Sequence, residues 1–208
     1  MRRGRTFRPE PCRDAYSQDS TCKKTSSGMI RLPLAIVTAV FYAVRWRPSV
    51  LRRVAKHNVN IALSVCDLLL LLLVIYQFCG TGRLQFQAPP YISYVGLVLA
   101  ILGATIATSA RLTLKHNYLP ASATAASSSL TMLGPYRVIR HPSYFGSIMA
   151  FMGFELALTN LLIFITLPFI FVLCKQIDKE ESILADFHGN EWRRFVARTP
   201  YKLVPYIY

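Results

Sequence analysis

The apolar residues of this chain are gathered into long blocks, one of them the run Leu68-Leu69-Leu70-Leu71-Leu72-Leu73-Val74-Ile75, while the charges keep to the ends and the short connectors. A core built in water needs apolar positions that alternate with polar ones at helical or strand period, so unbroken blocks of this kind suit a lipid surround instead. Val59 to Phe78 and Tyr91 to Ala110 each supply about the 20 apolar residues that a helix needs to cross hydrocarbon, with Gly80 to Pro90 as the turn between them. Leu32 to Val44 is only 13 residues long. It could span thinly with snorkelling arginines, enter and leave by the same face, or lie in the interface.

Charge orients these segments. Arg52, Arg53 and Lys56 precede the first long span, Arg83 alone sits in its turn, and Arg111 and Lys115 follow the second, so the positive-inside rule puts the turn outside. Arg45 and Arg47 on one side and a basic tail on the other leave the short segment unoriented. Residues 1–29 carry seven Lys and Arg up to Lys24 among Ser, Thr and Pro, and read as a disordered cytosolic tail that touches anionic lipid. A transit peptide fits less well, because Glu10, Asp14 and Asp19 interrupt the segment. The net charge of +14 is not arranged as a basic stripe interleaved with aromatics, which argues against nucleic acid as a partner.

Past a linker of small residues, Asn117 to Met132, the chain carries Arg137, Arg140, His141 and Pro142 directly before another apolar segment. Tyr144 to Leu158 and Leu161 to Cys174, split by Thr159-Asn160, read as a helical hairpin whose second arm Pro168 should kink. The hairpin returns the chain to its starting side, so the Arg-His-Pro cluster and Glu180-Glu181 share one membrane face. Helical spacing sets Gln176, Glu180 and Leu184 on one stripe, and Ile177, Glu181 and Leu184 on its neighbour. The last stretch, through Trp192, Phe195, Pro200 and Pro205, reads as a helix and tail lying on the membrane surface. The expected fold is all-α and integral to the membrane, with about four to five transmembrane helices.

Each polar group has an ordinary explanation by itself: a solvated helix end for Glu180 and Glu181, a carbonyl partner for His141, an interfacial aromatic belt for Tyr136 and Tyr144. Their joint spacing is less ordinary. The run from Gly134-Pro135-Tyr136 to Arg140-His141-Pro142-Ser143-Tyr144-Phe145-Gly146, then Ile177-x-x-Glu180-Glu181-x-x-Leu184, then Gly189-x-x-Trp192-x-x-Phe195 leading to Thr199-Pro200 and Pro205, resembles the isoprenylcysteine carboxyl methyltransferase family, within a wider group that includes phospholipid methyltransferases. The resemblance covers residues 111–208. It implies a methyltransferase core there, containing the hairpin 144–174 and a C-terminal cytosolic pocket for S-adenosylmethionine; by hydropathy, residues 30–110 are the preceding transmembrane helices, with the status of the first segment open.

Carried over position by position, the resemblance implies that Ser128, Ser129, Leu130 and Thr131 line the cofactor through backbone groups and that Tyr136 contacts its adenosine. It implies that His141, Pro142, Ser143 and Tyr144 hold the methionyl end and that Glu180 binds the ammonium or ribose, supported by Glu181. Arg140 and Glu181 are the candidate catalytic pair. Family members that act on prenylcysteine carry an arginine four residues before the first glutamate; this chain has Gln176, which can donate a hydrogen bond but supplies no charge, so carboxylate recognition would move to Arg140 or Lys175.

The implied activity is methyl transfer from S-adenosylmethionine to the C-terminal carboxylate of a prenylated cysteine, as by a protein-S-isoprenylcysteine O-methyltransferase. A lipid acceptor is the alternative: N-methylation of a phospholipid amine would need a base, for which Glu181 or His141 would serve. The tail Pro200 to Tyr208 is also similar to the end of nicotinamide-dependent sterol reductases, which typically carry Asn and Glu where this chain has Ser143 and Ser147. A catalytically silent scaffold is a further alternative. The resemblance implies the endoplasmic reticulum membrane for a eukaryotic member and the inner membrane for a bacterial one.

Other chemistries lack support. His57, His116, His141 and His188 have no metal-ligand spacing. Ser143 and Cys174 lack nucleophile motifs. Cys12, Cys22, Cys66, Cys79 and Cys174 form no C-x-x-C and an odd total, and read as reduced, helix-packed thiols.

Overall fold

The computed structural model describes residues 13–48, 61–79, 84–114 and 130–205, the side chains of 13–28, 61–64, 66, 67 and 79 excepted. Its long elements are all helices: α1 Arg13–Arg45, α2 Ile61–Cys79, α3 Pro90–Leu114, α4 Pro142–Ala157, α5 Thr166–His188 and α6 Asn190–Arg198. Short 3-10 turns at Gly134–Arg137 and Leu161–Ile165 precede α4 and α5. Two stretches, Pro90–Leu114 and Leu161–His188, are long and apolar enough to cross a membrane, and Leu68–Phe78 is a shorter apolar run.

The centre of the fold is the antiparallel pair α3 and α4, whose backbones touch. A methyl group built on Gly103 would lie 2.2 Å from the Ala150 nitrogen, and one on Gly153 would lie 2.3 Å from the Ala100 nitrogen. The sequence supports this with a register that hydropathy does not reveal: Gly96, Ala100, Gly103 and Ala107 on one helix meet Gly146, Ala150, Gly153 and Ala157 on the other, spaced four, three and four on both. Small residues at this spacing let helices approach until dispersion between backbones replaces side-chain packing, the usual device where lipid removes any hydrophobic drive between helices.

Helix α1 overlaps the unstructured tail expected to residue 29, because its helix already begins at Arg13. Once the apolar turns from Ile30 onward have nucleated a helix, adding each preceding residue costs little. Residues 1–12 and the linker 117–129 lie outside the described residues. The direction of α1 also settles where the tail leaves. Ile30 and Leu34 join one buried cluster with Val74, Ala100, Phe154, Ala157 and Leu158, at the hairpin-turn end. The Phe41 carbonyl meets Arg111, near the opposite end. The described part of the tail, from Arg13, therefore lies toward the end opposite Arg140, whereas charge alone places both on the cytosolic face.

The hairpin turn falls at Thr159-Asn160, as its polar break indicates, with Thr159 in the left-handed region at φ 49°. Pro168 does not interrupt the second arm. The α-helix begins at Thr166, so Pro168 sits in its first turn, where the missing N–H has no intrahelical acceptor to lose. The irregularity is instead the 3-10 turn Leu161–Ile165 that leads in.

A polar knot closes this end of the bundle. Gln77 Nε2 donates to Glu155 Oε1 at 2.8 Å, Asn160 Nδ2 donates to Gln77 Oε1 at 3.3 Å, and Asn160 Oδ1 accepts from the Leu162 N–H. The backbone of residues 84–86 docks on the same turn through Leu161 N–H to the Leu84 carbonyl and Phe86 N–H to the Thr159 carbonyl. Glu155 is fully buried, and its Oε2 has no partner among the described residues. Gln77→Ala should therefore strand Glu155 and cost about 1–3 kcal/mol in unfolding free energy. Glu155→Gln keeps the acceptor oxygen, removes the buried ionisable group and should leave the thermal midpoint in detergent at or above that of the parent.

At the C-terminus, Trp192 and Phe195 are not spread on a membrane surface as the aromatic composition suggests. They are buried against Leu184, with Leu130, Ala185 and Val196 around them. Helix α6 is amphipathic because it packs on α5, and its arginines Arg193, Arg194 and Arg198 face outward.

Candidate functional site

Proline at the first position of α4 starts the helix directly after His141, and two backbone hydrogen bonds hold this start against the tail: Arg140 N–H to the Tyr201 carbonyl at 2.9 Å and His141 N–H to the Lys202 carbonyl at 3.0 Å. The Arg-His-Pro turn, the tail and the polar end of α5 thus meet, as expected from the common face deduced for the two clusters.

They divide into two layers. In the inner one, Arg140 Nε donates to Glu181 Oε1 at 2.7 Å, and one terminal nitrogen donates to the carbonyls of Thr199 and Pro200 at 2.8 and 2.6 Å. His141 Nε2 lies 3.2 Å from the same carboxylate oxygen, and Lys202 Nζ lies 3.4 Å from the other. With side chains only 5% and 13% exposed, the Arg140–Glu181 pair is largely desolvated and held by charge-assisted bonds. The expected catalytic pair thus also joins the turn, α5 and the tail. Tyr136 is buried beside it, its carbonyl accepting from the Thr199 hydroxyl at 3.4 Å.

The second layer faces a cavity. Ser143, Tyr144 and Glu180 line it, and the Tyr144 hydroxyl donates to Glu180 Oε2 at 2.8 Å. Residues of α4 one turn apart, Ser147, Ala150, Phe151 and Phe154, continue the wall into the apolar bundle, faced by Phe41, Val74 and Leu173. Of the other expected site residues, Pro142 is buried at the start of α4, Leu130 packs on the Trp192 cluster, and Thr131 is half-buried. Gln176 is buried one turn before Glu180 and is not part of the cavity wall. Ser128 and Ser129 lie outside the described residues.

In the sequence Arg111 reads only as an orienting charge. It is 3% exposed, donates through Nε to the Ser143 hydroxyl at 3.3 Å and through a terminal nitrogen to the Ser147 hydroxyl at 2.9 Å, and stacks 4.2 Å from the centre of the Phe41 ring. A guanidinium inside an apolar helix pair is costly unless its donors are met. One arginine at the end of an apolar block was a visible signal, but its position suited a membrane-surface charge equally well.

Comparisons agree with this core. The profile of the family described as phospholipid methyltransferase matches residues 91–191. A probable protein-S-isoprenylcysteine O-methyltransferase of Oryza sativa subsp. indica is 31% identical over 114 residues, 52% of this chain and 59% of that protein, and its counterpart in subsp. japonica matches equally. The Delta(14)-sterol reductase TM7SF2 of Mus musculus is 30% identical over 88 residues, 41% of this chain and 21% of the reductase. The chain thus spans less than two thirds of the length of these relatives. Among solved structures, a eukaryotic intramembrane Ras methyltransferase, isoprenylcysteine carboxyl methyltransferase, superposes with a TM-score of 0.50 at 30% identity, over 56% of this chain and 43% of that one. By its motifs, its helical hairpin and these matches, the chain is similar to the isoprenylcysteine carboxyl methyltransferases and, more widely, to phospholipid methyltransferases.

Proposed function

We propose that this protein is a multi-pass membrane methyltransferase that methylates the C-terminal carboxylate of a prenylated cysteine, with S-adenosylmethionine as donor. The observation that carries the reading is a cavity with two characters: Ser143, Tyr144 and Glu180 at one end and an apolar channel along α4 beyond them. A prenylated cysteine has the same two characters, a charged end and a hydrocarbon tail. Helices α1 to α5 would each cross the bilayer, so that the polar end of the cavity opens at the cytosolic face.

The residues present suit the donor. Glu180 has one oxygen held by Tyr144 and the other uncommitted among the described residues, which makes it an acceptor for a cationic or hydroxyl group. When bound, S-adenosylmethionine would supply an electrophilic methyl on a positively charged sulfur. The chain's own task is to position and desolvate, since a carboxylate is already ionised at neutral pH and no side chain needs to take its proton. Arg45, which lines the cavity, would supply the positive charge that Gln176 does not.

The reading is tested by offering labelled donor and purified protein in detergent N-acetyl-farnesylcysteine, phosphatidylethanolamine, or no acceptor. Base-labile label on the prenylcysteine alone is expected. Label on the phosphatidylethanolamine would favour the amine methyltransferase reading, and S-adenosylhomocysteine binding without transfer to either acceptor would favour the silent scaffold. Within the site, Tyr144→Phe should lower kcat/KM by about tenfold through a misaligned Glu180, and Glu180→Ala should weaken S-adenosylhomocysteine binding about 100-fold, as read by calorimetry.

A further inference from the structure

Helix α4 places three hydroxyls on the cavity wall, those of Ser143, Tyr144 and Ser147, and their hydrogens have different fates. That of Tyr144 goes to Glu180 Oε2 at 2.8 Å, and that of Ser147 goes to the Ser143 carbonyl at 2.7 Å. The Ser143 hydroxyl acts only as an acceptor among the described residues, its oxygen receiving Nε–H of the buried Arg111 at 3.3 Å. Arg111 lies behind this wall and is not part of it. Its contacts with Ser147 Oγ at 2.9 Å, with the Phe41 carbonyl at 3.4 Å and with the Phe41 ring hold the guanidinium between α1 and α4. A cation buried within an apolar span is a costly placement that membrane proteins keep for sites of function.

We infer that Arg111 is a positioning residue that fixes Ser143 as a hydrogen-bond donor into the cavity, so that this wall selects a carboxylate on the bound ligand. The inference rests on the methyltransferase reading above, in which both the acceptor and the methyl donor carry a carboxylate. A serine hydroxyl has one hydrogen and two lone pairs, and by itself it donates or accepts as its neighbours require. A guanidinium has no acceptor and keeps its charge, so it takes a lone pair of Ser143 and turns the hydroxyl hydrogen away from itself. What is left for a ligand is a donor polarised by a cation, in a medium that screens the effect poorly. A carboxylate is met there. An ammonium finds the positive end of the hydroxyl dipole with a like charge behind it, so the same device disfavours an amine at this wall.

The test measures, by calorimetry in detergent, how much more tightly a carboxylate is bound than the matching carboxamide, once for N-acetyl-farnesylcysteine and once for S-adenosylhomocysteine. The parent should prefer the carboxylate form of at least one of them. Ser143→Ala should narrow that preference by about tenfold, the difference between a hydrogen bond to a charged group and one to a neutral group. Arg111→Met should narrow it to the same degree and the double variant no further, because the two residues act as one donor. Ser147→Ala also removes a partner of Arg111, and should lower the thermal midpoint while the preference stays. If Arg111→Met does not fold, Arg111→Lys, which keeps the charge without the planar fork, should fall between the parent and Ser143→Ala. Narrowing on the first ligand pair assigns the carboxylate to the acceptor and narrowing on the second assigns it to the methyl donor; either supports the inference. Equal affinity of the parent for both forms of each ligand, an unchanged preference in folded Ser143→Ala, or additive losses in the double variant would overturn it and leave methyl transfer standing. A parent that binds neither ligand would overturn the methyltransferase reading and the inference with it.

Discussion

Gly103→Leu should abolish folding, and even Gly103→Ala should lower stability by more than about 3 kcal/mol, beyond the usual cost of overpacking. The added carbon would sit 2.2 Å from a backbone nitrogen and 2.7 Å from the Gly146 carbonyl oxygen. Neither is the movable end of a side chain, so α3 and α4 would have to separate. Separation would also open the neighbouring contacts at Gly96, Gly146 and Gly153, because all four lie on one interface. Monodispersity in detergent and the thermal midpoint report the effect. Gly189 is the control: it has open space around a Cβ but φ +50°, so Gly189→Ala should cost only about 1–3 kcal/mol of backbone strain. Equal losses at the two sites would refute the close-approach account.

Arg140→Ala should be nearly as damaging, at about 3–5 kcal/mol, because it leaves Glu181 buried without its closest cation and frees two carbonyls of the tail. Arg140→Lys should recover only part of the loss, since an ammonium cannot reach the carboxylate and both carbonyls with the geometry of a planar fork. The double variant Arg140→Met with Glu181→Leu separates structure from catalysis. It should regain stability relative to Arg140→Ala. Because the pair positions the turn and does not line the cavity, retained S-adenosylhomocysteine binding in that double variant is expected; its loss in a protein of restored midpoint would return Arg140 or Glu181 to direct ligand contact.

The hairpin, its turn and the meeting of the two polar clusters were legible because each is marked by a break in an apolar block or by charge. What happens inside the blocks was not. Where nearly every position is apolar, hydropathy has no period, and the seven-residue recurrence of Gly96 with Gly103 and of Gly146 with Gly153 was the signal that remained. Gln77, Glu155 and Asn160 were invisible as a group because Gln77 comes from a distant part of the chain and meets the other two only when α2 packs beside the hairpin turn. Arg140 was readable as important, and proximity to an acidic pair suggests ligand binding and internal bracing alike; the hydrogen bonds to the carbonyls of Thr199 and Pro200 add the bracing that the sequence does not show. Trp192 and Phe195 misled for a related reason, since aromatic and basic residues alternate in the same way on a helix that lies on lipid and on one that packs against its neighbour.

The walls of the cavity have two origins. Ser143, Tyr144, Phe154 and Glu180 come from the stretch that matches the family profile, whereas Val37, Phe41, Tyr42, Leu70 and Val74 come from α1 and α2, which precede it. The seam between these two sources runs down the channel itself. Drift in the first two helices can therefore reshape the space for the acceptor without disturbing the residues proposed to serve the donor. A chimera that takes residues 1–89 from a relative and keeps the rest should inherit that relative's taste in lipid while retaining this protein's affinity for the donor, which makes acceptor choice a trait that evolution can exchange as a block.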